Sequence, residues 1–383
     1  MKTWESIVSI LGIGTALPPY RIDQDETAGK LAEALADRRD AARWARKIFK
    51  SCGVETRYTC EPNLLEPIDR CRYLSNRPQA DIPATGERME MYKRQSVPLA
   101  GEAAAEALRD GNVEPARITH LITVSCTGLF LPGIDVALMQ ALGLDANVSR
   151  IPLTFMGCAA GLTAIRLSEQ IVRGNPASKV LVVCVELCTL HMQPSSAREA
   201  LYATAFFGDG ASACIVGEAS PGQRAIFALS KGETVLFPGS TGDMVWNVGN
   251  YGFDLFLSPH IPKLIGEFVP AEIARFLKGR AAPELWAIHP GGRGIVDTLQ
   301  SALSLTDAQT RASRSVLREY GNMSSATLLF VLQRMRQWLE AERQGPKEGM
   351  ALAFGPGLTA ELMNIAYVPA GSPYPEALDD AYV

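Results

Sequence analysis

Hydrophobic positions along the chain alternate between two periods. Residues 118–125 (ITHLITVS) and 180–185 (VLVVCV) are short runs rich in β-branched residues, the pattern of strands covered on both faces. Between them, residues 159–173 (AAGLTAIRLSEQIVR) set Leu162, Ile165, Leu167, Ile171 and Val172 near a helical repeat with polar residues interleaved. Residues 211–216, 285–288, 350–354 and 361–367 read as further strands, the last two joined through Gly355-Pro356-Gly357, and 324–339 reads as a helix. Strands alternating with helices predict an α/β protein with at least partly parallel sheets. The apolar run 7–13 before Pro18-Pro19 reads as a buried first strand; Glu5 is misplaced for the basic start of a secretory leader. Residues 56–95, dense in charges and prolines, predict an irregular surface excursion. The stretch 218–224 (EASPGQR) marks a boundary between halves at 1–220 and 221–383, and the last dozen residues predict a loose tail.

Composition narrows the class. The 383 residues are 47% hydrophobic and 20% charged, enough for a large core in two packed halves. A net charge of −4 gives no reason to expect nucleic acid or an anionic membrane surface as partner, and no run approaches the ~18 apolar residues of a spanning helix. A cytoplasmic protein without integral membrane association is expected. The eight cysteines form no CxxC pair, which argues against zinc and thioredoxin-like chemistry and fits free thiols in a reducing compartment.

Candidate chemistry centres on one cysteine. Cys158, in Phe155-Met156-Gly157-Cys158-Ala159-Ala160-Gly161, falls between an extended segment and a predicted helix. A helix N-terminus stabilises a thiolate, and the small flanking residues allow close approach. On these residues alone, a buried thiol and a nucleophile both remain open. Only four histidines exist. His289 ends a predicted strand before Pro290-Gly291-Gly292, a position where catalytic side chains collect in α/β sheets. His260 reads as a solvated loop residue, His120 as structural and His191 as a pocket candidate. Asn322, after Gly321, reads as a helix-start residue whose amide could also donate to a carbonyl oxygen gaining charge. Gly208-Asp209-Gly210 is a turn without the Lys-Ser/Thr of a phosphate loop, and Gly12-Ile13-Gly14 lacks the third glycine of a dinucleotide fingerprint.

Taken together, FMGCAAG, FFGDGASA, AIHPGG, YGNMSSAT and FGPGLT occur in the order and approximate spacing of type III polyketide synthases, with 131 residues from Cys158 to His289 and 33 more to Asn322. The chain resembles this family from its first strand to about Tyr367. The resemblance implies a thiolase-like α/β fold of two pseudo-equivalent halves, with five-stranded mixed sheets layered between helices, in a homodimer. It implies an acyltransferase that extends an acyl-CoA starter with malonyl-CoA and needs no cofactor or metal. Cys158 would carry the acyl chain as a thiolate paired with His289. His289 and Asn322 would bind the thioester carbonyl, and Phe207 would shape the mouth of the site. A ketoacyl-ACP synthase III is the nearest rival, but PGG follows His289 where that family has Gln-Ala-Asn, and FGPG replaces its terminal glycine turn. A non-catalytic acyl-CoA-binding protein would typically have lost one of the three residues, and a cysteine hydrolase would use water as acceptor.

The surroundings look more bacterial than plant. Cys126 lies where tetrahydroxynaphthalene synthases also carry cysteine, which keeps a malonyl-CoA-only enzyme as an alternative. Leu255 stands where plant chalcone synthases have a second gatekeeper phenylalanine. The segment 186–192 resembles that of alkylresorcinol and alkylpyrone synthases. A long-chain fatty acyl-CoA starter is therefore expected, with Leu190, Met192, Trp246 and Leu255 lining its tunnel and Cys126, Thr127, Cys188 and Ser324 also in contact with substrate. Lys47 and Lys50 lie where the family places cations for the CoA phosphates.

Overall fold

The computed structural model describes residues 7–74, 81–193, 197–219 and 224–370. The first half runs β1 (Val8–Ala16), β2 (Tyr20–Asp23), α1 (Gln24–Ala34), α2 (Arg39–Ser51), β3 (Thr56–Thr59), α3 (Thr85–Asp110), β4 (His120–Ser125), α4 (Ile134–Leu142), β5 (Ser149–Thr154), α5 (Ala160–Gly174), β6 (Lys179–Leu187), α6 (Arg198–Phe206) and β7 (Asp209–Glu218). The second runs β8 (Phe227–Leu236), β9 (Met244–Gly249), β10 (Gly252–Leu257), α7 (Ile261–Leu277), β11 (Leu285–Ile288), α8 (Arg293–Ala302), α9 (Asp307–Tyr320), α10 (Thr327–Ala341), β12 (Lys347–Gly355) and β13 (Thr359–Tyr367).

Both halves share one mixed sheet in the order β5-β4-β6-β7-β1-β8-β13-β12-β11. Pairing is parallel for β5-β4, β4-β6 and β11-β12, and antiparallel elsewhere. The seam between halves is short, with Ser9 opposite Ala228 and Ile10 opposite Phe227. Among the described residues the first half contributes five strands and the second four.

The continuous apolar runs reflect burial on both faces. Along β6, Val180, Val182 and Cys184 face a core shared with α5 and α10, whereas Leu181, Val183 and Val185 face α3. Along β12, Ala351 and Ala353 face the same central helices, and Met350, Leu352 and Phe354 face α7 and α8. Helices α5 and α10 thus form a middle layer between the two halves of this sheet, the thiolase-like α/β arrangement.

The predicted strands and central helices are all present, with ends moved by a few residues. The expected excursion over 56–95 is corrected in part: β3 and the start of the 26-residue α3 lie within it. The charged first turns of α3 mask a helix that buries Tyr92, Leu99, Ala100, Ala103, Ala104 and Ala107. The β9–β10 hairpin was not foreseen. The proposed 220/221 boundary and the C-terminal tail fall outside the described residues. No helix among those described is long and apolar enough to cross a membrane.

Candidate active site

Two similar turns bring the chemistry together. After β5 the chain takes left-handed φ at Phe155 (+56°) and Gly157 (+60°), then enters a 3₁₀ turn over Gly157–Ala159 that leads into α5. Cys158 sits in that turn. A Cβ on Gly157 would lie 2.4 Å from Pro356 Cδ, and one on Gly355 would lie 2.9 Å from Ala159 Cβ. The FGPG turn therefore braces the cysteine turn through glycine-sized gaps. On the other half, Gly321 (φ +70°) and Ser324 (φ +46°) flank Asn322 ahead of the 3₁₀ turn Ser324–Ala326 and α10. A Cβ on Gly161 would fall 2.3 Å from Ser325 O, which marks the contact between the two turns.

Asn322 is fixed from both ends. Its backbone N–H donates to Phe206 O at 2.8 Å and its carbonyl accepts from Gly208 N–H at 3.0 Å, a two-bond ladder that also sets Phe207. The Ser324 N–H donates to Oδ1 at 2.8 Å, so Nδ2 points to Gly291 O at 3.3 Å and to Cys158 Sγ at 3.8 Å. His289 directly follows β11, and its N–H donates to Leu352 O at 2.8 Å. Both of its ring nitrogens are buried and have no hydrogen-bond partner among the described residues.

Cys158, His289, Asn322, Ser324 and Phe207 line one cavity of about 320 Å³. Its exposed lining residues, Ser51, Pro259, Arg293 and Gly294, mark where it meets solvent. A second cavity of about 280 Å³ shares the walls Phe207, Trp246 and Leu255, and adds Cys188, His191, Met192, Phe253 and Phe256. The indole N–H of Trp246 is buried without a partner among the described residues.

Burial dominates the electrostatics. It pushes the Cys158 thiol up to about 11, against the pull of hydrogen bonds from Ser324 and Asn322, and pushes His289 down to about 3. No hydrogen bond joins the two groups. The thiolate expected from the helix N-terminus must therefore recover both costs from attraction between thiolate and imidazolium.

The other predicted residues separate clearly. Phe207, Trp246, Leu255, Cys188 and Met192 are cavity walls. Leu190, expected in the tunnel, is instead fully buried in the α3-side core, and its carbonyl accepts from Arg88. Cys126 and Thr127, expected to touch substrate, line neither cavity and lie behind Ser324. Cys126 Sγ is 3.2 Å from Ser324 Oγ, and Thr127 Oγ1 donates to Glu186 at 2.7 Å. These small residues follow β4 where Glu186 needs donors. Lys50 lines a neighbouring surface hollow, while Lys47 lies exposed over the Trp44 ring and lines no described cavity.

Sequence reasoning missed Glu186 and Arg57. Glu186 is fully buried and accepts from Cys126 N–H at 3.0 Å, Thr127 Oγ1 and Ser325 Oγ, tying β4 and β6 to the Asn322 turn. Burial raises its carboxyl above the usual range. A charged residue inside the apolar run VLVVCVEL was the signal. Arg57, also fully buried, donates to Thr204 O and to Phe207 O, the latter at 2.8 Å, beneath the Phe207 loop. It fell in the stretch read as surface.

The fold and the adjoining cavities define a thiolase-like condensing enzyme. The chain belongs to the chalcone and stilbene synthase family, the type III polyketide synthases: that family's N-terminal domain matches residues 2–221 and its C-terminal domain residues 229–369. It is similar to the alpha-pyrone synthesis polyketide synthase-like Pks18 of Mycobacterium tuberculosis, 31% identical over 94% of this chain and 91% of that protein. It is 28% identical to probable polyketide synthase 1 of Dictyostelium discoideum over 92% of its own length, which spans only 11% of that larger protein. Among solved structures, the type III polyketide synthase domain of Dictyostelium Steely1 superposes with a TM-score of 0.86 at 27% identity, covering 95% of this chain and all of that one. A brown algal polyketide synthase, PKS-I of Ectocarpus siliculosus, does so with a TM-score of 0.87 at 28% identity, covering 96% and 100%. Enzymes of the family use malonyl-CoA and acyl-CoA substrates.

Proposed function

We propose that this type III polyketide synthase loads a long-chain fatty acyl-CoA, extends it with malonyl units and releases an alkylpyrone or alkylresorcinol. The observation that carries the reading is the second, largely apolar cavity behind Phe207, Trp246 and Leu255, adjoining the cavity that holds Cys158, His289 and Asn322. A growing chain anchored at Cys158 can lay its alkyl end there, out of water.

In the proposed chemistry Cys158 sulfur attacks the starter thioester, and its proton passes through His289 to the departing CoA thiolate. Malonyl-CoA then loses CO2, and the bonding pair left behind becomes an enolate. Donors from the Asn322 Nδ2–H that faces Cys158 Sγ and from His289 stabilise the enolate oxygen. The enolate carbon attacks the Cys158 thioester, forming a C–C bond and breaking the C–S bond. The lengthened chain, now on CoA, returns to the same sulfur. No cofactor or metal is required at any step. The exposed apolar residues Leu129, Leu131, Phe155 and Met156 support a homodimer, which light scattering after gel filtration will test.

Incubation with labelled malonyl-CoA and acetyl-, benzoyl-, coumaroyl- and C6–C18 acyl-CoA starters, read by mass spectrometry, tests the reading. Pyrones or resorcinols are expected with the longer starters, and Leu255→Phe should shift the preferred starter to a shorter chain. Product from malonyl-CoA alone would replace it with tetrahydroxynaphthalene synthesis. Cys126, offered for that alternative, lines neither cavity.

A further inference from the structure

Two walls of the second cavity come from segments far apart in sequence. One is the 188–193 segment, which contributes Cys188, His191 and Met192; the other is the β9–β10 hairpin, with Trp246, Phe253, Leu255 and Phe256. Neither Thr85 nor Arg88, both in the first turn of α3, lines the cavity, yet each holds one of these walls from behind.

Arg88 is fully buried. Its Nη1 donates to Leu190 O and, at 2.9 Å, to Met192 O, and its Nε donates to Pro83 O at 2.7 Å. Among the described residues its hydrogen bonds all go to carbonyls, and the guanidinium lies over the Tyr73 ring at 4.8 Å. Burial pulls it down to about 10, which leaves it charged at neutral pH. Thr85 holds the hairpin. Its N–H donates to Asn250 O at 2.9 Å, and its hydroxyl donates to Gly249 O and accepts from Gly252 N–H at 2.9 Å. The two attachments meet at Gly252 (φ +110°), where a Cβ would lie 3.1 Å from His191 Nδ1 and 3.2 Å from Arg88 Cδ. The hairpin turn is thus packed directly against the arginine that holds the opposite wall.

We propose that Arg88, with Thr85 beside it, fixes the separation of the two walls and so sets the length of alkyl chain that the second cavity accepts. Arg88 is then a positioning residue for starter specificity. The proposal rests on reading the second cavity as the seat of the alkyl chain. A buried cation whose donors all meet carbonyls fixes backbone, and charge-assisted bonds resist displacement more than neutral ones do. An alkyl chain is held by close contact, and walls that part by about 0.5–1 Å forfeit roughly a quarter to a half of the dispersion attraction. A short starter, seated at Cys158 in the first cavity, does not depend on that spacing.

The test compares palmitoyl-CoA with hexanoyl-CoA as starters at fixed malonyl-CoA, read by mass spectrometry. Arg88→Met should lower kcat/KM for palmitoyl-CoA at least ~10-fold, mainly through KM, about the effect of two methylene groups out of contact. The value for hexanoyl-CoA should stay within about twofold, whereas a merely destabilised protein would lose both starters alike. Arg88→Lys, which keeps the charge and one donor group, should recover part of the loss. Thr85→Val should shift the same ratio in the same direction, by roughly 3-fold for one neutral hydroxyl removed. Circular dichroism melting identifies a variant that fails to fold, and Thr85→Val, which leaves Arg88 in place, then carries the test. Palmitate, titrated by calorimetry, reports the cavity without turnover and should bind the variants more weakly by the same factors. Palmitate binding that depends on Arg88 and Thr85, without condensation, would sink the synthase reading and keep the role of Arg88. Condensation with the starter ratio and palmitate affinity unaltered in folded variants would overturn that role and keep the synthase. A wild-type protein that neither binds palmitate nor prefers palmitoyl-CoA would overturn both the chain seat and the role of Arg88.

Discussion

The turn that carries Cys158 and the turn that carries Asn322 are built alike and finished differently. Each uses two left-handed residues and a three-residue 3₁₀ turn to feed a 15-residue buried helix. Cys158 sits inside its turn, held only loosely, with sulfur contacts of 3.8 Å to the Asn322 amide and a hydrogen bond from Ser324. Asn322 sits two residues before its turn, with its backbone laddered to residues 206–208 and both ends of its amide engaged. A nucleophile must leave its resting contacts to form a bond, whereas an oxyanion donor helps only if it is already oriented before charge develops.

The largest expected effects separate these two roles. Cys158→Ala should abolish starter loading and condensation while malonyl decarboxylation continues weakly, measured as acyl-enzyme mass and released labelled CO2. Asn322→Ala should slow decarboxylation roughly 10²–10³-fold yet leave Cys158 open to alkylation by iodoacetamide. His289→Ala should impair both loading and decarboxylation. Condensation by the Cys158→Ala protein would remove the basis for the comparison.

The same contrast separates two histidines. Among the described residues His289 has both ring nitrogens unpartnered, whereas His191 commits both: Nε2–H donates to Thr127 O at 2.7 Å and Nδ1 accepts from Phe253 N–H at 3.0 Å. The ring also stacks on Phe253 at 4.3 Å. A proton on Nδ1 would face another N–H, and burial already pushes His191 down to about 4. The unfolded chain therefore binds a proton between about pH 6.5 and 4 that the folded protein refuses. This contribution is fully present above pH 6.5 and is lost as pH falls toward 4, at no more than about 1.4 kcal/mol per pH unit. Denaturant unfolding across that range should show a shallower pH slope for His191→Gln than for wild type. Equal slopes would mean that His191 is not held neutral.

Much of this contrast was legible before the structure. Continuous apolar runs gave the strands of the sheet, and the short list of histidines left His289 at a strand tip as the natural companion of Cys158. Order and spacing of five motifs then joined Asn322 to them. What stayed hidden depends on contacts distant in sequence. Leu190 is adjacent to cavity residues but turns into the α3 core. Cys126 and Thr127 are diverted to Glu186, 60 and 59 residues away. Arg57 lay in a charged stretch that resembles surface, although its guanidinium reaches the Phe207 loop 150 residues on. Periodicity predicts which face is buried but not which distant carbonyl will meet a buried charge.

The smallest effect tests the bracing of the cysteine turn. Gly157→Ala forces a Cβ onto a residue with φ +60° and brings it to 2.4 Å from Pro356 Cδ. Left-handed strain costs about 1 kcal/mol for an ordinary residue, and the steric clash should bring the total to about 2 kcal/mol in denaturant unfolding. Adding Pro356→Ala removes the clash but leaves the strained φ, so roughly half the loss should return. Gly321→Ala offers the matched case, since its Cβ would meet Phe206 O at 2.6 Å, a backbone atom that no second substitution can trim. Full recovery in the Gly157→Ala/Pro356→Ala protein would assign the whole cost to the proline contact. No recovery would place it in the backbone, and the FGPG turn would then lose its role as the brace that holds Cys158 at the cavity.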